Sequence, residues 1–123
     1  MTNVFILEDS LERIKLFKEV LENKFDLTFS ANVEEAKKLL QAKKYDVVFF
    51  DHDLDDKIFV NSNDPNTGYQ LAKWIEEKGM RFDQVVIHSL NPVGAERIKK
   101  RAENFSDNVE KIPFTVLIRK LRA

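Results

Sequence analysis

The chain has 123 residues, 43% of them apolar and 33% charged, with a formal net charge of −1. That length suits one domain spanning residues 1–123, and the composition excludes a disordered, collagen-like or broadly nucleic-acid-coating chain. The absence of cysteine excludes a disulfide scaffold and fits a reducing cytoplasm, and the short apolar run Val4–Leu7, with no basic stretch before it, is neither a signal peptide nor a membrane span.

Val4–Leu7 reads as a buried strand that stops at Glu8 and Asp9. Leu11, Ile14, Phe17 and Leu21 follow at helical spacing, and Asp9 with Glu12 supplies a start signal for that helix. Phe25–Phe29 alternates as a second strand, and Asn32 with Glu35 opens a helix carrying Val33, Ala36, Leu39 and Leu40. The third strand, Val47–Phe50, stops at Asp51-His52-Asp53. Residues 55–66 are rich in Asp, Asn, Ser and Pro and predict a surface loop, with Asp55, Asp56 and Lys57 as a solvated turn. Thr67 precedes a third helix with Leu71, Ala72, Trp74 and Ile75 on its apolar side, and Gly79 ends it. Val85–Ile87 stops at His88 and Ser89, after which Asn91 and Pro92 open a fourth helix whose exposed face carries Arg97, Lys99, Lys100 and Arg101. A short strand near Val109–Lys111 and a helix from about Thr115 to Leu121 complete the alternation.

Strands that alternate with helices, and whose central members are almost continuously apolar, predict a parallel sheet covered on both faces, because parallel strands need helical crossovers. In such a doubly wound α/β fold the ligand crevice lies outside the carboxyl ends of the strands. That edge collects Glu8, Asp9, Asp51, His52, Asp53, His88, Ser89 and Lys111. Ionised carboxylates crowded together need a compensating cation, and hard oxygen ligands select Mg²⁺, Mn²⁺ or Ca²⁺, with Mg²⁺ first. Mg²⁺ keeps several waters and takes few protein ligands, so an open edge with Asp9 and Asp51 suits a phosphate.

Phe5-Ile6-Leu7-Glu8-Asp9, Asp46-Val47-Val48-Phe49-Phe50-Asp51, Thr67-Gly68-Tyr69-Gln70-Leu71 and a lysine shortly before a proline resemble the receiver domains of response regulators over nearly the whole chain. The resemblance implies a three-layer, flavodoxin-like domain with five parallel strands in the order 2-1-3-4-5. It also implies Mg²⁺ or Mn²⁺ bound by Glu8 and Asp9, a phosphoacceptor at Asp51, and Lys111 on the phosphoryl group. Three departures stand out: Ile112 separates Lys111 from Pro113, the loop after Asp51 is lengthened, and His88 stands where receivers place Thr or Ser.

Asp51-His52-Asp53-Leu54, His88-Ser89 and Asn91-Pro92-Val93-Gly94 are similar to a receiver-like family proposed to process cyclic phosphates at RNA or nucleotide ends. That likeness implies metal binding by Asp9, Asp51 and Asp53, general acid or base work by His88, and phosphate contacts from Ser89 or Lys111. Opening a cyclic phosphodiester needs charge neutralisation, an activated water and a proton for the departing hydroxyl. Imidazole exchanges protons near neutral pH, which makes His88 the proton-transfer candidate. The alternative is a stand-alone receiver phosphorylated on Asp51 by a histidine kinase, and a third reading is a non-catalytic interaction domain. His52, between two aspartates, is expected by strand alternation to point away from both and to serve packing. The basic face of the fourth helix is structural charge or a guide for an RNA backbone, and the aromatic residues are packing, with Tyr69 and Phe59 as exceptions.

Overall fold

The computed structural model describes residues 1–54 and 61–123. The expected turn at Asp55–Lys57, and Phe59, lie outside the described residues.

The elements alternate along the chain: β1 (Asn3–Leu7), α1 (Leu11–Leu21), β2 (Asp26–Ser30), α2 (Val33–Ala42), β3 (Val47–Phe50), α3 (Gly68–Lys78), β4 (Gln84–Ile87), α4 (Pro92–Ala102), β5 (Val109–Lys111) and α5 (Phe114–Arg122). All strand pairs are parallel and the sheet order is β2-β1-β3-β4-β5, as the resemblance implied.

Strand alternation builds two cores, one on each face of the sheet. Phe5, Leu7, Val48, Phe50, Val85 and Ile87 pack under α2, α3 and α4. Val4, Ile6, Phe49 and Val86 point the other way and meet Phe17 and Leu21 of α1 with Phe114, Leu117 and Ile118 of α5. Phe17 is fully buried and touches Phe49 and Phe114 edge-on at centroid distances of 5.4 Å. Burying one such side chain contributes about 1.5–3 kcal/mol.

Three of the expected helix starts hold: Asn32 accepts from the Glu35 N–H at 2.8 Å, Thr67 from Gln70 at 3.3 Å and Asn91 from Gly94 at 3.0 Å. Gly79 ends α3 in the left-handed region at φ 70°, a conformation that costs glycine nothing. The first helix starts one residue later than expected. Ser10, not Asp9, accepts from the Arg13 N–H, at 3.4 Å, because the Asp9 and Ser10 N–H groups are drawn back to the Glu8 carboxylate at 3.1 Å each.

Candidate functional site

The register of the sheet assembles the site. Leu7 of β1 lies beside Phe50 of β3, and Phe50 beside Ile87 of β4. The ladder continues one step further: the Asp51 N–H donates to the Leu7 carbonyl at 3.2 Å, and the His88 N–H to the Phe50 carbonyl at 2.9 Å. Glu8, Asp51 and His88 are therefore the residues that follow three aligned strand ends. By alternation their side chains turn to the α1/α5 face. Their ligand atoms lie within 4.8 Å of one another, and all three residues are buried.

Glu8 is the most heavily bonded of the three. Its Oε1 lies 2.9 Å from His88 Nε2, and its Oε2 accepts the two backbone N–H groups before α1. Burial alone would raise its carboxyl. The His88 hydrogen bond and charge, the Ser10 N–H and the Arg13 guanidinium outweigh burial and hold it below the ordinary carboxylate range. Asp51 has less help: burial and the Glu8 charge push its carboxyl up to about 7, against His88, Arg13 and the His52 N–H at 2.9 Å. The His88 ring is fixed by Phe17, 5.2 Å away, and Phe114, 6.2 Å away. Its Nδ1 has no hydrogen-bond partner among the described residues. A proton on Nε2 is donated to the Glu8 carboxylate.

Sequence reasoning passed over Arg13. Its Nη1 lies 3.7 Å from Glu8 Oε1 and 4.0 Å from Asp51 Oδ2, and its guanidinium carbon sits 4.9 Å from the centroid of the Phe114 ring. The only available signal was its position on the first turn of α1, directly after the acidic pair.

His52 corrects an expectation. It does not point away from both neighbouring aspartates: its Nδ1 lies 2.7 Å from Asp53 Oδ1 and its Nε2 lies 3.0 Å from Ser62 Oγ. Alternation holds at His52, which turns to the α4 side opposite Asp51, and fails one residue later at Asp53, which bends back to the same side. Asn91 Nδ2 also donates to Asp53 Oδ1 at 3.1 Å, so Asp53 is turned to the His52–Asn91 side. The His52 imidazole fills the space beside Gly94, where a Cβ would collide with the ring, and a Cβ at Gly68 would collide with the Asp51 carbonyl oxygen. Both glycines are set by close approach.

Asp9 enters through its N–H on Glu8, and Ser89 accepts the Asn91 N–H at 3.0 Å. Lys111 is not brought to the cluster. It pairs with Ile87 across the sheet, so its side chain turns to the α4 face, where Nζ lies 2.6 Å from Glu96 Oε2 and helps hold that carboxyl low. Two carboxylates and an imidazole within 4.8 Å of one another fit a single divalent cation, whose ligand bonds run about 2.0–2.6 Å.

A doubly wound sheet in this order with an acidic pair after β1 and an aspartate after β3 defines a receiver domain. Solved receiver structures agree in fold. A CheY-like response regulator receiver domain from Methylobacillus flagellatus superposes with a TM-score of 0.63 at 22% identity, covering 99% of this chain and 97% of that one. The Mn²⁺-bound form of response regulator Rcp1 gives 0.65 at 17%, covering 99% and 90%. Response regulator TrrA from Thermotoga maritima, in complex with Mg²⁺-BeF, gives 0.64 at 17%, covering 98% and 99%. The chain belongs to the cyclic-phosphate processing receiver domain family, whose model matches residues 6–104. No curated protein matches the chain in sequence.

Proposed function

We propose that the chain is a divalent-metal-dependent phosphoesterase that opens a cyclic phosphate on a nucleotide or an RNA end. The observation that carries this reading is the imidazole of His88 inside the carboxylate cluster, its Nε2 2.9 Å from Glu8 and its ligand atom within 4.8 Å of Asp51. Glu8 and Asp51, with Asp9 as the neighbouring carboxylate, hold Mg²⁺ or Mn²⁺. The two metals are those carried by the Rcp1 and TrrA structures. A bound cation neutralises charge on the phosphate and lowers the pKa of water at the site.

The residues divide the remaining work. Glu8 fixes the orientation of the His88 ring through its Nε2. His88 passes its proton to the departing ester oxygen and recovers one from the attacking water. Water adds to phosphorus, one of the two ring P–O bonds breaks, and the freed oxygen leaves as a hydroxyl, giving a phosphomonoester. Ser89, at the same strand end as His88, offers a hydroxyl to the phosphate. A screen of cyclic-phosphate nucleotides and cyclic-phosphate RNA ends with Mg²⁺ or Mn²⁺ tests this. Conversion to monoesters that disappears in His88→Gln is expected, and no conversion of any member would overturn it.

A second reading is favoured by the place of Asp51, at the end of β3 in a receiver fold: phosphorylation on Asp51, with a histidine kinase as donor. Acetyl phosphate and Mg²⁺ would then give a hydroxylamine-labile adduct on Asp51. An unmodified intact mass under those conditions counts against it.

A further inference from the structure

Building on Asp51 as the point where a phosphate meets the sheet edge, we propose that Arg13 is the phosphate-binding cation of this site, in the role a strand-end lysine would fill. The sheet register explains why another cation is needed. Lys111 aligns with Ile87, so it shares the face of Ile87 and meets Glu96 on α4, whereas His88, one residue on, faces α1 and α5. The Ile112 N–H donates to the Ile87 carbonyl, and Ile112 packs in the core on the α1/α5 face. The residue standing next to His88, directly after β5, is thus apolar. One inserted residue has moved the ammonium to the opposite side of the sheet.

Arg13 supplies what that shift removes. Among the described residues, the guanidinium paired with Asp51 is that of Arg13, at 4.0 Å. Its distances of 3.7 and 4.0 Å exceed those of a made N–H···O bond, about 2.7–3.2 Å, so the fork lies beside the carboxylates without being locked onto them. The Phe114 ring beneath it, 4.9 Å from the guanidinium carbon, holds its plane by a cation–π contact. A planar fork of N–H donors suits two oxygens of one phosphate. Its side chain is 24% exposed, against 0% for Glu8 and 7% for Asp51, so an anion arriving from solvent meets Arg13 before it meets either carboxylate. The carboxylates attract a metal and repel a phosphate, and Arg13 offsets that repulsion.

The test measures two affinities separately: Mg²⁺ alone, and beryllofluoride, an analogue of the phosphoryl group, in saturating Mg²⁺. Arg13→Ala is expected to weaken beryllofluoride roughly tenfold or more while Mg²⁺ binds as tightly or more tightly, because a competing positive charge has gone. Arg13→Lys recovers part of the loss, and Lys111→Ala loses less than Arg13→Ala. Unchanged beryllofluoride affinity in Arg13→Ala overturns the role of Arg13 and leaves the phosphate reading standing. So does a larger loss in Lys111→Ala, or a parallel loss of Mg²⁺ and beryllofluoride, which marks a structural part. A wild-type protein that binds Mg²⁺ and no beryllofluoride overturns both.

Discussion

Asp51 and Glu8 sit side by side, and burial pushes both carboxyls up. The His88 hydrogen bond, the Ser10 N–H and Arg13 pull Glu8 net below its ordinary value while Asp51 stays raised, and that difference sets a pH dependence. Asp51 has an ordinary carboxyl value of 3.8 and is pushed to about 7 in the fold. Below about 4 folded and unfolded chains both hold the proton; between about 4 and 7 only the folded chain does. Stability from this group is thus present in acid and lost as pH rises towards 7. Glu8, held below its ordinary 4.5, has the reverse sign and loses its contribution only as pH falls below that value. In metal-free buffer the melting temperature should therefore decline between pH 5 and 7, and Asp51→Asn should flatten that slope. A wild-type profile that rises over this window would contradict the assignment. His88→Ala should cost about 3–5 kcal/mol in urea unfolding, since it empties a space between two phenylalanines and leaves Glu8 buried without its partner. At this scale the sequence displayed Glu8, Asp51 and His88 openly, because each follows an apolar strand. It hid Arg13, since an arginine on an amphipathic helix reads as surface charge, and it missed the turn of Asp53 towards His52, since alternation no longer holds at that residue.

Strand ends act as rulers: three aligned termini bring Glu8, Asp51 and His88 together, and a single residue at β5 keeps Lys111 away. The departure was visible as Ile112 between Lys111 and Pro113, and its consequence followed only when register fixed which face each residue takes. Exchanging the two, Lys111→Ile with Ile112→Lys, moves the ammonium into the row of His88. In an Arg13→Ala background this exchange should restore beryllofluoride binding, and no recovery would mean that face alone does not decide which cation serves. The helix starts at Asn32, Thr67 and Asn91 were legible because a cap is a local event. The tight passage of α4 past His52 was not, because Gly94 reads as an ordinary glycine until the ring beside it is known. Gly94→Ala should cost about 1–3 kcal/mol by overpacking, and an unchanged urea midpoint would show that the ring can move aside.

Across the molecule, the sheet and its two cores supply the rigidity, and the acidic edge gathers buried charge that folding alone does not neutralise. No helix among the described residues is long and apolar enough to cross a membrane. A cation that binds the folded chain and not the unfolded one must stabilise it by mass action. Added Mg²⁺ should raise the melting temperature in a saturable way, and Asp51→Asn should abolish the rise. The five-stranded order was readable from alternation and resemblance together, because strand-helix spacing leaves few topologies open. The chemistry at the edge rests on three side chains from distant parts of the chain, which only the folded sheet brings within one ion's reach. Its most direct test is turnover of a cyclic-phosphate nucleotide in heavy-oxygen water with Mg²⁺ or Mn²⁺, followed by product and intact-protein mass. One heavy oxygen in the phosphomonoester, absent with His88→Gln at equal metal occupancy, is the predicted result; unconverted substrate, or conversion undiminished by His88→Gln, would contradict it.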